Sequence, residues 1–170
     1  MNRQQRRKME QTTAKTAKSK TDKFIDLSKL RAKTNGEIFT PPKLVEEMLD
    51  KYPKDNFSQK ERKWLDPCCG ATAVFPIMIM FRLADGLREV IPNPKERIKH
   101  IVENMLYMVE KDPDACNFGL AGVEHYAHLL DLHLSLYDSP IAVNYLRNGY
   151  IENYEQIIET FYESISTKSA

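Results

Sequence analysis

No stretch of this chain approaches the roughly 18 consecutive apolar residues that a membrane-crossing helix needs. The basic N-terminus has no apolar region behind it, so it does not read as a secretory signal. Cysteine is scarce: of three, Cys68 and Cys69 are adjacent and Cys116 stands alone. That is no disulfide framework, and reduced thiols in a cytoplasmic setting are the default. Internal repeats are absent too. What remains is 170 residues, 42% hydrophobic and 29% charged, the profile of one globular domain with a polar tail.

Net charge is also nearly absent, at +1, but the balance hides an asymmetry. Residues 1–23 hold eight Lys or Arg against Glu10 and Asp22, a net of +6, which leaves −5 on the rest. This tail is rich in Gln, Thr, Ser and Lys, and it cannot bury enough apolar surface to offset its ordering entropy, so disorder is expected. A solubilising role is one reading. Contact with DNA phosphates through Arg3, Arg6, Arg7 and Lys8 is the other. Residues 24–170 form the expected domain.

Within it, Phe24 to Leu30 is a short amphipathic segment at best. Pro41-Pro42 starts a helix, since proline is tolerated in a first turn, and Leu44, Val45, Met48 and Leu49 give it an apolar face. Tyr52 to Lys63 reads as loop, and Trp64-Leu65 as a short buried strand ending at Asp66. Val74 to Leu87 is almost wholly apolar and long enough to favour a buried helix. Ile98, Ile101, Val102 and Met105 recur at helical spacing. Leu106 to Val109 is a second strand candidate, ending at Glu110. Pro113 opens a helix with Val123, Tyr126, Leu129 and Leu130 on one face. Tyr154, Ile157, Ile158, Phe161 and Ile165 make a last amphipathic helix.

Chemistry concentrates where the two strand candidates end. Asp66-Pro-Cys-Cys-Gly70 places an acid at a strand end and a glycine in the turn that follows. Glycine lets backbone approach a ligand, and the next helix offers free N–H groups. Gly36-Glu-Ile-Phe-Thr-Pro41 precedes this motif, and Met108-Val-Glu110-Lys-Asp112-Pro113 follows it. Taken singly, Asp66-Pro67 also reads as a helix cap, Thr40-Pro41 as a common helix start, and Glu110 with Asp112 as a solvated turn.

In series, over residues 35–116, the three motifs resemble the adenine-specific (N6) DNA methyltransferases of restriction–modification systems and phages. The resemblance implies an α/β, Rossmann-like methyltransferase fold that binds S-adenosylmethionine. With only two convincing strands, the fold would be partial and helix-rich. Phe39, Thr40 and Pro41 would pack beside the cofactor's methionine part. Asp66, Pro67, Cys69 and Gly70 would surround its amino-acid end, where a carboxylate accepts from the ammonium. Glu110 would take the ribose hydroxyls, and Asp112 would lie near the adenine edge.

Two departures from the family pattern stand out. Position 72 is Thr where the family has a second glycine, and Phe75 falls one residue late, which is expected to narrow the pocket. The Asn/Asp-Pro-Pro-aromatic tetrapeptide that accepts the amino group and stacks the flipped base is missing. Asp138-Ser-Pro-Ile141 is the nearest candidate, with Asp138 as a weak catalytic acid, though it also reads as a plain turn and helix start. His125, His128 and His133 do not complete a metal site, because His133 points away from the other two. Tyr145, Tyr150 and Tyr154 beside Arg147 read as base-stacking residues or as core edges.

The resulting expectation is an adenine-specific DNA methyltransferase or its cofactor-binding portion, in the cytoplasm of a bacterium or a phage-infected host. Self-association or a partner chain would cover the half-sheet. The alternative is a catalytically inactive methyltransferase-like binding or regulatory module of phage or mobile-element origin.

Overall fold

The computed structural model describes residues 38–154 and 156. The chain divides into two compact units, Met1–Phe39 and Thr40–Ala170. In the first, Ile38 is exposed and Phe39 half-buried. The basic tail, the Phe24–Leu30 segment, Gly36 and the Ile157–Ile165 stretch lie outside the described residues.

The second unit begins with α1 (Pro42–Leu49) and a 3₁₀ turn at Lys54–Phe57, then β1 (Trp64–Asp66) and α2 (Val74–Gly86). There follow α3 (Pro94–His100), a π turn at Ile101–Met105, β2 (Leu106–Met108), α4 (Pro113–Tyr137) and α5 (Pro140–Glu152). The two strands run parallel, pairing Trp64 with Leu106, Leu65 with Tyr107 and Asp66 with Met108. Among the described residues they form the whole sheet.

The expected α/β, Rossmann-like fold is therefore not what these residues build. The strands and their order are present, but each is three residues long, too little to make a layer. The layers are helices packed on helices. The reason lies in α2, where Val74, Pro76, Ile77, Met78, Ile79, Met80, Phe81, Leu83 and Ala84 are all buried. A helix apolar all round must be surrounded, and α1, α4 and α5 pack against it. Phe81 meets the edges of Tyr126 from α4 and Tyr150 from α5 at centroid distances of 5.9 and 6.2 Å.

The helix starts follow local chemistry. Asn93 caps α3 by accepting from the Glu96 amide, Asp112 caps α4 by accepting from Asp114 and Ala115, and Ser139 caps α5 by accepting from Ala142. Each of these helices then begins with proline, whose missing N–H costs nothing there. The polar Tyr52–Lys63 stretch hides one core residue: Phe57 is buried and stacks on Trp64, centroids 4.8 Å apart and 11° from parallel. Among the described residues, no helix is long and apolar enough to cross a membrane.

Candidate functional site

The residues picked out around the strand ends do meet, and their hydrogen bonds run to one another. β1 ends at Asp66 and β2 at Met108. The ladder continues one step, with the Val109 amide donating to Asp66 O at 2.9 Å and the Cys69 amide to Val109 O at 3.1 Å. Glu110 then spans the gap between the two chain segments. Its Oε2 accepts from the Gly70 amide and its Oε1 from the Asp112 amide, both at 3.0 Å. Asp66 Oδ1 accepts from the Cys68 amide at 3.1 Å, and Asp112 is occupied capping α4. Each carboxylate here serves a backbone N–H of its own turn.

Gly70 takes φ +61°, a left-handed conformation that a side chain would strain. Ala73 shares it, at φ 44°, just before α2 begins. The turn is roofed by α4 at Gly119, where an added Cβ would stand 2.8 Å from the Gly70 carbonyl oxygen and 3.3 Å from the Ala73 Cβ. Close approach of the helix thus fixes a glycine that the pattern of apolar residues does not single out, although an isolated glycine inside a helix is itself a packing signal.

On the other side, the Tyr154 hydroxyl donates to the Thr40 carbonyl at 3.3 Å. Burial pushes this phenol up to about 12, a shift that the neighbouring Thr72 side chain partly opposes. The threonine that replaces the family's second glycine is thereby placed beside Tyr154, and sequence reasoning missed this pair.

Electrostatically the site is crowded with acid. Burial raises the Asp66 carboxyl above the ordinary aspartate value, the Cys68 amide opposes this, and neighbouring Glu110 adds to the rise. Burial, with Asp66, Glu110 and Cys116 nearby, pushes the Cys69 thiol up to about 12, so it is a packed thiol and no nucleophile. Pro41 and Pro67 are exposed.

Asp138 lies elsewhere, at the corner where α4 ends. Its carboxylate is paired with Arg97, a side chain with no exposed surface, while its carbonyl accepts from Arg88 at 2.8 Å. Leu134–Tyr137, which would have to be the strand before a catalytic tetrapeptide, is the last turn of α4. Among the described residues, no group of three or more His, Cys, Asp or Glu is gathered for a metal ion. The tyrosines separate: Tyr150 is buried, Tyr145 is 70% exposed, and Arg147 pairs with Glu46 at 3.0 Å.

Over 78 residues the chain is 40% identical to a curated protein of Mycoplasma pneumoniae (strain ATCC 29342 / M129 / Subtype 1), named "Uncharacterized adenine-specific methylase". The relationship is a distant one. The match takes in 44% of this chain, and the chain spans only 18% of that relative's length. No protein-family model matches, and neither does any solved structure.

The distant kinship fits the motifs, but the methyltransferase expectation does not survive the fold. A two-stranded sheet of three-residue strands is not the core on which S-adenosylmethionine sits. The residues expected around the cofactor bond to their own chain. The Glu110 oxygens expected to face its ribose are held by Gly70 and Asp112, and the Thr40 carbonyl accepts from Tyr154. The expectations of cofactor binding, of adenine methylation and of an enzyme are corrected accordingly.

Proposed function

We propose that the chain is a catalytically inactive, methyltransferase-like binding module, and that it acts by docking on a methylase polypeptide. The observation that carries this reading is Glu110. A carboxylate that accepts from one amide of its own turn and one amide of the facing turn braces two strand ends, which is a structural task in its own right. The inherited motif then serves as a structural clasp.

The open face of the strand pair supplies the contact surface. Leu65 and Tyr107, paired across the ladder, and Val109 beyond them are 63%, 42% and 53% exposed. Parallel strands are ordinarily covered on both faces, and here Trp64, Leu106 and Met108 face the core while the opposite side lies open. A polypeptide with an apolar strand or helix face satisfies that surface. Kinship to an adenine-specific methylase supports a partner of the same kind.

Calorimetric titration of the folded chain with S-adenosylmethionine tests the first half, with no binding heat expected. Saturable binding that disappears in Glu110→Ala would restore the cofactor site. Co-expression with the adenine-specific methylase of the same genome tests the second. A complex is expected to form and to be lost in Tyr107→Lys, and a complex indifferent to that change would place the contact elsewhere. The net +6 of residues 1–23 favours a second reading, DNA contact through Arg3, Arg6, Arg7 and Lys8. Removing the tail should then weaken duplex binding uniformly across sequences and flatten its salt dependence.

A further inference from the structure

The α4–α5 hairpin carries an apolar patch that neither the strand ends nor the methylase kinship accounts for. Leu132, Leu136 and Tyr137 at the end of α4 are 52%, 70% and 69% exposed, and Ile141 and Tyr145 at the start of α5 are 79% and 70% exposed. Leu132 and Leu136 share a helix face by their spacing of four, as do Ile141 and Tyr145. The two helices run back on each other, bringing the His133 and Tyr145 rings to 6.1 Å. The five side chains therefore form one continuous surface around the corner.

Its charge content is as telling as its apolarity. Between residues 132 and 146 the sole Asp, Glu, Lys or Arg is Asp138. That carboxylate is turned inward onto buried Arg97. A membrane surface would be met by a rim of free Lys or Arg, whereas the arginines bordering this corner are engaged, Arg88 and Arg97 by Asp138 and Arg147 by Glu46. A foreign protein is ordinarily selected by complementary charge, and the patch offers none. An identical patch needs none, since a two-fold axis sets apolar ridge against apolar ridge.

The area is adequate. The two tyrosines expose roughly 150 Å² each, and the three aliphatic side chains bring the patch to about 500 Å². Doubled across an axis, this buries about 1,000 Å², the threshold of a specific interface. We propose that this chain forms a two-fold dimer through the α4–α5 hairpin, the paired hairpins packing as a four-helix layer.

Sedimentation velocity of the full chain over a micromolar concentration series tests this. The expected species has twice the 19.8 kDa chain mass. Ile141→Lys and Leu136→Lys, both at exposed positions, should each raise the dissociation constant at least about tenfold, with circular dichroism and melting unchanged. Leu65→Lys, on the open strand face, should leave the dimer intact and affect only the methylase contact. The proposal is overturned by a wild-type chain that stays monomeric, by a dimer that survives both hairpin variants, or by one that Leu65→Lys dissolves. Adsorption of a monomeric chain to anionic vesicles through Ile141 would overturn it equally.

Discussion

Glu110, at the strand ends, and Asp138, at the α4–α5 corner, both turn their carboxylates onto their own chain, yet they hold different things. Glu110 accepts from two backbone amides at the edge of solvent, joining residues 40 positions apart in sequence through Gly70. Asp138 neutralises a guanidinium that has no exposed surface, whose second nitrogen donates to Ile91 O at 3.1 Å and whose Nε finds no partner. A backbone amide left without its acceptor can turn to water if water reaches it. A buried arginine left without its counter-ion cannot. The sequence makes Glu110 the stronger functional candidate and Asp138 the weaker, but the corner is the costlier place to lose an acid.

Asp138→Ala is therefore expected to give the largest loss, about 3 kcal/mol or more, because it leaves Arg97 buried and unpaired. Urea denaturation measures it. Asp138→Asn, which keeps an acceptor and tolerates the φ of 27°, should lose less. Replacing the pair together, as Arg97→Met with Asp138→Asn, should recover most of the loss, since a buried ion pair is often matched by apolar packing. If the single alanine variant unfolds at the same urea concentration as wild type, the contrast with Glu110 collapses.

Glu110→Ala comes next, at about 2 kcal/mol for two amides deprived of a charged acceptor at a half-exposed site. Hydrogen exchange locates the effect: the Gly70 and Asp112 amides should exchange faster while those of α2 stay protected. Unchanged exchange at Gly70 would show that water or another acceptor replaces the carboxylate without penalty, and the clasp would lose its meaning.

Much of this was legible in advance, and the residues show why. Asp66, Gly70 and Glu110 announce strand ends and a turn because a short apolar run, an acid and a glycine are local signals. Pro42 and Pro113 mark helix starts for equally local reasons. The number of strands is a long-range property. Nothing in Trp64-Leu65 says whether further strands join it, and resemblance supplied a sheet that the described residues do not build. The clasp escaped because Glu110 has the same sequence signature whether its oxygens face a ribose or an amide. The Thr72–Tyr154 pair joins residues 82 positions apart, beyond any local pattern.

Glycine makes the same contrast on a smaller scale. Gly119 of α4 lies against the glycine turn, so Gly119→Ala must push a methyl group toward the Gly70 carbonyl oxygen. About 1–3 kcal/mol of overpacking is expected, outweighing the helix propensity gained. At Gly149 of α5 nothing lies within 4 Å of an added Cβ, and Gly149→Ala should stabilise by up to about 1 kcal/mol. Thermal melting of the two variants should move in opposite directions. A stabilised Gly119→Ala would mean that α4 does not close on the turn.

The smallest effect is the most diagnostic of what the strand ends are for. Asp66 has its proton affinity raised in the native chain, by burial first and by Glu110 as well. A carboxyl that binds its proton more tightly folded than unfolded favours folding in acid, and that contribution disappears as pH rises through its native titration. At neutral pH the ionised Asp66 is consequently a cost. Asp66→Asn keeps an oxygen for the Cys68 amide and removes the charge, so it should melt above wild type at pH 7. The gap should close as pH falls below the ordinary carboxylate range, where wild type is neutral in both states. A ligand-binding acid would show the same gain as long as no ligand is present. A carboxylate held charged to meet an ammonium is tolerated at a loss until the ligand arrives, and its Asn variant gains stability only by forfeiting binding. Asp66→Asn measured with and without S-adenosylmethionine separates the two cases. A stability gain that ligand leaves untouched makes Asp66 a relic in a clasp, whereas a wild-type chain that overtakes its variant when the ligand is added would return the acid to chemistry.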